Sequence, residues 1–467
     1  MLFIMVDDLR PQLGCYGDTI VKSPHIDRLA TEGIVFKRAY CQQALCSPSR
    51  TSLLTGRYPE TTQVFDITTH FRRHLPDVIT LPQRFKQEDY QTVGLNKIFH
   101  LVGFEPQLFG DLDDTASWTI PHWVPTRSGW GPEGEVIYQQ SRATALKNGP
   151  LGYGNIPRSL AYEAPNVPDS SLSDGETAQE ALRQLRKLSQ SDQPFFLAVG
   201  FYKPHLPFVA PKKYWELYDP KMLQLPKNQF FPKNAPTYAG INLNELRSYT
   251  NIPKTGEIDP VLGKALLHGY LACISYVDAQ IGLVLAELDS LGLRDNTIVV
   301  LLGDHGFQVG EHGFWGTKHT NFETSTHTPL IISAPKKWIR NKHVKPFIKT
   351  ESIVELVDVY PTLLEMTGLP PDIALEGESL VKFFKNPKAK GKTAALSVYP
   401  KDNRMGRSIR TDRYRLTAWQ AKDGSTDYEL YDHQTDPQEN ENVASSIENQ
   451  AVLKKLQRLL SKKTKYK

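Results

Sequence analysis

The chain has 467 residues, enough to bury a large core in one main domain with a smaller companion. Hydrophobic residues make up 40% and charged residues 23%, as in a globular enzyme rather than a disordered or fibrous chain. A formal charge of +4 is mild for this length and argues against a nucleic-acid partner, and no run reaches the roughly 20 apolar residues of a membrane span.

The first stretch, Leu2 to Val6, is apolar without alternation, the pattern of a parallel strand buried on both faces. It ends in Asp7-Asp8. Ligand groups gather at the carboxyl ends of strands in open α/β sheets, so two adjacent acids there are metal-ligand candidates. The chain starts almost inside this strand, with no signal-peptide pattern ahead of it. A start trimmed, or placed after a removed signal peptide, is the expectation, which would put the protein in a periplasmic, extracellular or lysosomal space; the cytoplasm is left open. The four cysteines, Cys15, Cys41, Cys46 and Cys273, are scattered without a Cys-x-x-Cys pair, so neither a disulfide framework nor zinc is expected.

Gly14 to Asp18 reads as a loop, and Ser23-Pro24 opens a short helix with Ser23 as its cap. Ile34-Val35-Phe36 is a strand delivering the chain to Cys46-Ser47-Pro48-Ser49-Arg50, where Pro48 suits the first turn of a helix. A nucleophilic side chain at a helix start, with Arg50 one turn later, describes a site for a tetrahedral oxyanion. Phe71-Arg72-Arg73-His74 is a basic loop, and Arg72 and His74 are candidates to line a substrate cleft. Thr80 starts a helix, and Gln91 to Leu95 is a strand followed by Asn96-Lys97-Ile98-Phe99-His100. Residues 103–173 show little periodicity and read as a long insertion shaping the pocket.

Gly175 to Leu188 is an amphipathic helix, and Pro194 to Phe201 a buried strand that ends near His205, held between prolines. Lys264 to Leu291 has helical apolar spacing and reads as core. Thr297 to Leu302 is a second core strand, stopping at Gly303-Asp304-His305-Gly306, with Lys318 in the loop beyond. Leu330 to Ile332 is a further strand, and Val354 to Leu364 is helical with Pro361 expected to break or kink it. Short alternating strands between Ala395 and Asp432 read as an antiparallel meander, and a basic helix closes the chain. The fold expected is α/β, a large, mostly parallel sheet flanked by helices over residues 1–390, with a smaller antiparallel sheet and helix over 391–467.

Ala44-Leu45-Cys46-Ser47-Pro48-Ser49-Arg50 with Leu53-Leu54-Thr55-Gly56 resembles the signature of the type I sulfatases, whose fold is similar to that of alkaline phosphatase. The segments Val6 to Pro11, Gly14 to Asp18, Lys203-Pro204-His205 and Gly310 to Gly313 look like the iduronate 2-sulfatase branch. The resemblance implies that Cys46 is oxidised to formylglycine by a formylglycine-generating or anaerobic sulfatase-maturing enzyme, and that the hydrated aldehyde is the nucleophile. It implies Ca2+ held by Asp7, Asp8, Asp304, His305 and residue 46. It further implies Arg50, Lys97 and Lys318 on the sulfate oxygens, Asp304 as base, His205, alone or with Lys318, protonating the leaving oxygen and His100 releasing sulfate. The substrate implied is a sulfated oligosaccharide, attacked at an exposed end carrying a sulfated uronic acid. A phosphodiester or phosphonate monoester hydrolase of the same superfamily is the alternative.

Four departures stand out. Asp89 and Asn96 occupy positions where that family has Gly, and Thr317 is an extra residue before Lys318. Phe307 replaces a Trp, so Phe307 and Trp315, beside the pocket, are candidates for setting which sugar is recognised.

Overall fold

The computed structural model describes residues 1–100, 113–152, 155–240, 245–335 and 348–465. Its main sheet contains, among the described residues, seven strands: β1 (Leu2–Val6), β2 (Gly33–Tyr40), β3 (Gln91–Asn96), β4 (Phe195–Phe201), β5 (Val299–Gly303), β6 (His327–Ser333) and β7 (Ile348–Glu355). Their order is β7-β2-β6-β5-β1-β4-β3, with β6 alone antiparallel to its neighbours. In β1, Leu2, Ile4 and Val6 feed one core cluster while Phe3 and Met5 feed the other. Both faces are buried, which is why the sequence shows no alternation.

Helices cover both faces. They are α1 (Pro24–Thr31), α2 (Cys46–Thr55), α3 (Leu81–Gln87), α4 (Pro132–Asn148), α5 (Ser173–Leu188), α6 (Pro260–Ser290) and α7 (Val359–Thr367). Helix α6 is long and apolar enough to cross a membrane, yet its side chains from Leu266 to Leu288 lie largely inside the protein against α5, as a core helix does. The four strands β8 (Ala395–Lys401), β9 (Arg404–Arg410), β10 (Tyr414–Ala421) and β11 (Thr426–Asp432) form a separate antiparallel sheet, with α8 (Gln450–Lys465) against it. All four cysteines are free and buried.

Four local expectations need correction. Ser23 does not cap α1; the carboxylate of Asp278, reaching from α6, accepts the first N–H groups of His25 and Ile26. Gly14–Tyr16 is a 3-10 turn rather than open loop. The unpatterned insertion contains α4, a 17-residue helix that buries only Gly134, Tyr138 and Ala145 and so carries no apolar stripe to read; residues 103–112 of that stretch lie outside the described residues. Pro361 does not kink a helix, because Ile348–Glu355 is a strand and α7 begins at Val359, leaving the proline in the first turn, where no N–H is missed.

Candidate active site

The sheet topology sends one loop after another to a single edge. Val6 lies opposite both Phe201 and Gly303, so Asp7, Tyr202 and Asp304 leave the sheet at the same level. Strand β3 adds Lys97 beyond its last residue, and β2 leads to α2. A Cβ on Gly200 would collide with the Lys97 carbonyl, so this glycine lets the two chains close up where Lys97 turns into the site. The backbone is left-handed at Asp8 (φ 58°), Asp89 (φ 62°) and Asn96 (φ 57°). Asp and Asn are the non-glycine residues that best tolerate that region, which explains how Asp89 and Asn96 stand in for glycine.

Cys46 opens α2 and is 2% exposed. Ligand atoms of Asp7, Cys46, Asp304 and His305 lie within 4.8 Å of one another, and a second set joins Asp8, Cys46 and His205 at the same limit. His305 Nδ1 faces the Gly306 carbonyl at 2.8 Å, which only accepts; the proton therefore sits on Nδ1, and Nε2 presents its lone pair 3.3 Å from Cys46 Sγ. His205 follows the same pattern, with Nδ1 on the Leu206 carbonyl at 2.7 Å and Nε2 facing Asp8 at 3.7 Å and Glu245 at 3.8 Å. Buried oxygens with a neutral imidazole lone pair fit a divalent cation.

The charges are balanced but crowded. Arg50 donates through Nε to Asp304 at 2.8 Å and through Nη2 to Asp7 at 3.2 Å, while Nη1 is spent on the Lys97 and Ile98 carbonyls. Its fork organises the carboxylates rather than standing free toward residue 46. Lys97 pairs with Asp7, and Lys318 reaches both oxygens of Asp8 at 2.8 and 2.9 Å despite the extra Thr317; the backbone is left-handed at Gly316 and His319 on either side. Burial would raise Asp7, but Lys97, His205 and Arg50 outweigh it and hold that carboxyl well below the usual range. Burial pushes Asp8 well up despite Lys318, with Asp7 and Asp304 adding to the effect. Burial pushes Asp304 up to about 7 against Arg50. The Cys46 thiol is driven well up by burial and then by Asp7, so the unmodified side chain is a neutral, weakly nucleophilic thiol. Burial also lowers His100, His205 and His305 well below the ordinary imidazole value.

The four residues expected to meet substrate divide. Arg72 is consumed: its five N–H donors go to Asp114, Gln83 and the carbonyls of Pro76 and Val78 at 2.6 to 3.1 Å, leaving none for a ligand. His74 is exposed just after the short turn Phe71–Arg73. Phe307 is buried, stacked on Tyr270 at 5.5 Å and lying 5.6 Å below Lys318 Nζ, where it shapes the floor of the site. Trp315 is buried against Gly263 and Gly310 and acts as packing. Residues with no sequence signal also converge. Asp174 accepts the N–H groups of Tyr202 and Lys203 and fixes the turn that carries His205. Glu245 faces His205 and is approached in turn by Arg158.

The family profile described as Sulfatase matches residues 1–369. The chain belongs to the sulfatase family. It is therefore a sulfuric ester hydrolase of that family, and a second profile, the C-terminal part of N-sulphoglucosamine sulphohydrolase, matches residues 310–466. The chain is 32% identical to mouse iduronate 2-sulfatase, covering 98% of this chain and 92% of the relative. It is 31% identical to a sulfatase of Formosa agariphila, covering 99% and 86%. Among solved structures it resembles a protein in complex with its substrate D-glucosamine-2-N,6-O-disulfate (TM-score 0.76, 23% identity, 100% and 97% covered). It resembles the phosphonate monoester hydrolase of Agrobacterium radiobacter as closely (TM-score 0.77, 22% identity, 100% and 95% covered), so these two likenesses speak for the fold alone.

Proposed function

We propose that this sulfatase removes a sulfate ester from the exposed end of a sulfated glycan, with a sulfated uronic acid as the sugar, using formylglycine made from Cys46. The observation that carries this reading is the meeting of Asp7, Asp304, His305 and Cys46 at one helix start. The sugar is supported by the likeness to iduronate 2-sulfatase over nearly the whole chain. Attack at a chain end is supported by burial: Cys46, Lys97, His100, His205 and Lys318 are each less than a tenth exposed, leaving little room for a polymer to lie across them.

Asp7, Asp8, Asp304, His305 and residue 46 would hold the cation, Ca2+ by its preference for oxygen donors. When bound it supplies positive charge that polarises the attacking oxygen and the sulfate. Oxidised and hydrated, residue 46 would present a hydroxyl where the neutral thiol now sits. Lys97 and Lys318 place ammonium charge on the sulfate oxygens, while Arg50 keeps Asp7 and Asp304 in register; charge placed where it develops lowers the barrier. Asp304 takes the nucleophile's proton. His205, already holding its Nδ1 proton on Leu206, delivers a proton from Nε2 to the departing sugar oxygen once the anionic substrate favours its charged form. His100 then takes a proton from residue 46 as sulfate leaves.

Peptide mass measurement of residue 46, with sulfate release from aryl sulfate and phosphodiester probes, tests this. Formylglycine at residue 46, preference for the sulfate ester, and loss of turnover on the order of 10⁴-fold or more in Cys46→Ala are expected. Undiminished turnover in Cys46→Ala, or a preference for phosphodiesters, overturns it.

A further inference from the structure

The interior arginines near the site show what a structural guanidinium looks like in this protein. Arg72 uses all five donors at 2.6 to 3.1 Å, and Arg50 binds two carboxylates and two carbonyls. Arg158 differs. Its two side-chain hydrogen bonds, to Glu245 and to the Tyr249 hydroxyl, both leave from Nη1 and both measure 3.4 Å, beyond the roughly 2.7–3.2 Å of a good N–H···O bond. Nε and Nη2 bond to no described residue, and the side chain keeps 23% of its surface exposed.

The guanidinium is nonetheless fixed in place. It lies over the Tyr249 ring at 5.1 Å, and Tyr249 is 1% exposed. Its backbone is anchored on both sides: the Arg158 N–H donates to Ser141 on α4, and the next residue, Ser159, donates its hydroxyl to Gly134 and accepts from the Thr250 N–H. The Glu245 carboxylate links it to His205: one oxygen of Glu245 faces Arg158 and the other faces His205 Nε2 at 3.8 Å. A rigid, half-unpaired fork beside the group assigned to the leaving oxygen is suited to two-point capture of a planar or tetrahedral anion.

We propose that Arg158 recognises a second anionic group, a carboxylate or a second sulfate, on the same sugar that carries the scissile sulfate. The inference rests on the sulfatase reading above and names which substrates it favours. The decisive quantity is the ratio of kcat/KM for a charged substrate over its neutral twin, measured on one preparation, because that ratio does not depend on how much of a variant folds. Two pairs separate the sources of charge: a sulfated uronic acid against its methyl ester, and an N,O-disulfated glucosamine against its N-acetyl, O-sulfated counterpart. Wild type is expected to favour the charged member of at least one pair by about tenfold or more, Arg158→Gln to bring that ratio close to one, Arg158→Lys to retain part of it, and Arg158→Glu to invert it. The pair that responds identifies the anion. Equal turnover of both members of both pairs by wild type, or a ratio that survives in Arg158→Gln, overturns the inference while leaving the sulfatase reading intact. Sulfate release from none of the four overturns both.

Discussion

Two clusters of charged side chains, one fully buried and one partly so, are wired differently. Between the main sheet and the antiparallel sheet, Arg415 bridges Glu439 and Glu323 at 2.6 Å each, Arg410 joins Glu323 at 2.9 Å, and His433 meets Glu439 at 2.8 Å. Opposite charges alternate there. Burial opposes ionisation of both glutamates, yet the arginines overcome it, holding Glu323 well down and Glu439 at about 2. At the active site three carboxylates crowd onto one cysteine and two histidines, and burial with like-charge contact drives Asp8 and Asp304 up instead. In the clasp the arginines win; in the active site Asp7, Asp8 and Asp304 are paired with Arg50, Lys97 and Lys318, yet burial and mutual crowding keep Asp8 and Asp304 high, an arrangement suited to a further cation.

The sharpest break of the comparison is Arg415→Met. It leaves buried Glu439 with His433 and half-buried Glu323 with Arg410, and should destabilise the protein by about 3–5 kcal/mol, the ordinary cost of removing one partner of a buried pair, while turnover per folded molecule is kept. Adding Glu439→Gln should recover part of that loss. Urea unfolding and active-site titration measure the two effects; a fall in turnover without a fall in stability would make the clasp part of the site.

The difference between the clusters was only half legible in the sequence. The acids at the ends of β1 and β5 could be found because doubly buried strands read as unbroken apolar runs, and Asp7-Asp8 and Asp304-His305 follow them directly. The Cys46 motif carried its helix start in Pro48. Pairing across the chain could not be read: Arg72 looked free because its partner Asp114 is 42 residues away, and Arg158 sits in an unpatterned stretch although two of its nitrogens bond to no described residue. Local residue type reports that a charge is present; whether a distant partner consumes it is a property of the fold. Helix α4 escaped for the related reason that so little of it is buried.

Both clusters contain acids and a histidine at metal-ligand spacing, since Glu323, His433 and Glu439 also come within 4.8 Å of one another. If like-charge crowding marks the cation site, CaCl2 at about 100 times its Kd should stabilise the EDTA-stripped protein by about 2.7 kcal/mol. Asp7→Asn should abolish that shift and Glu439→Gln should keep it. The reverse pattern in thermal melts would move the cation to the clasp.

The pH dependence of stability separates Glu439 of the clasp from Asp304 of the active site by sign. Glu439 has a folded value of about 2 against an ordinary 4.5. Between those values the unfolded chain holds the proton and the folded one does not, so its stabilisation, complete above pH 4.5, is lost as pH falls toward 2. Asp304 is the opposite case, about 7 in the fold against an ordinary 3.8. Across that window the folded protein holds the proton and the unfolded chain does not, so the stripped protein should lose stability as pH rises from about 4 to 7, by at most about 1.4 kcal/mol per pH unit for one such group. A bound cation keeps Asp304 ionised, so CaCl2 should reduce the upper limb, while Asp7, held well below the usual carboxylate range, ties calcium binding to the acid limb as well. Urea midpoints from pH 3 to 8, with EDTA or CaCl2, read both limbs. Glu439→Gln should shrink the lower limb, which Glu355 at about 2 also feeds, and Asp304→Asn should shrink the upper one, to which Asp278 and Glu429 at about 7 also contribute; an upper limb that Asp304→Asn leaves unchanged would mean that crowding of carboxylates is not what distinguishes the two clusters.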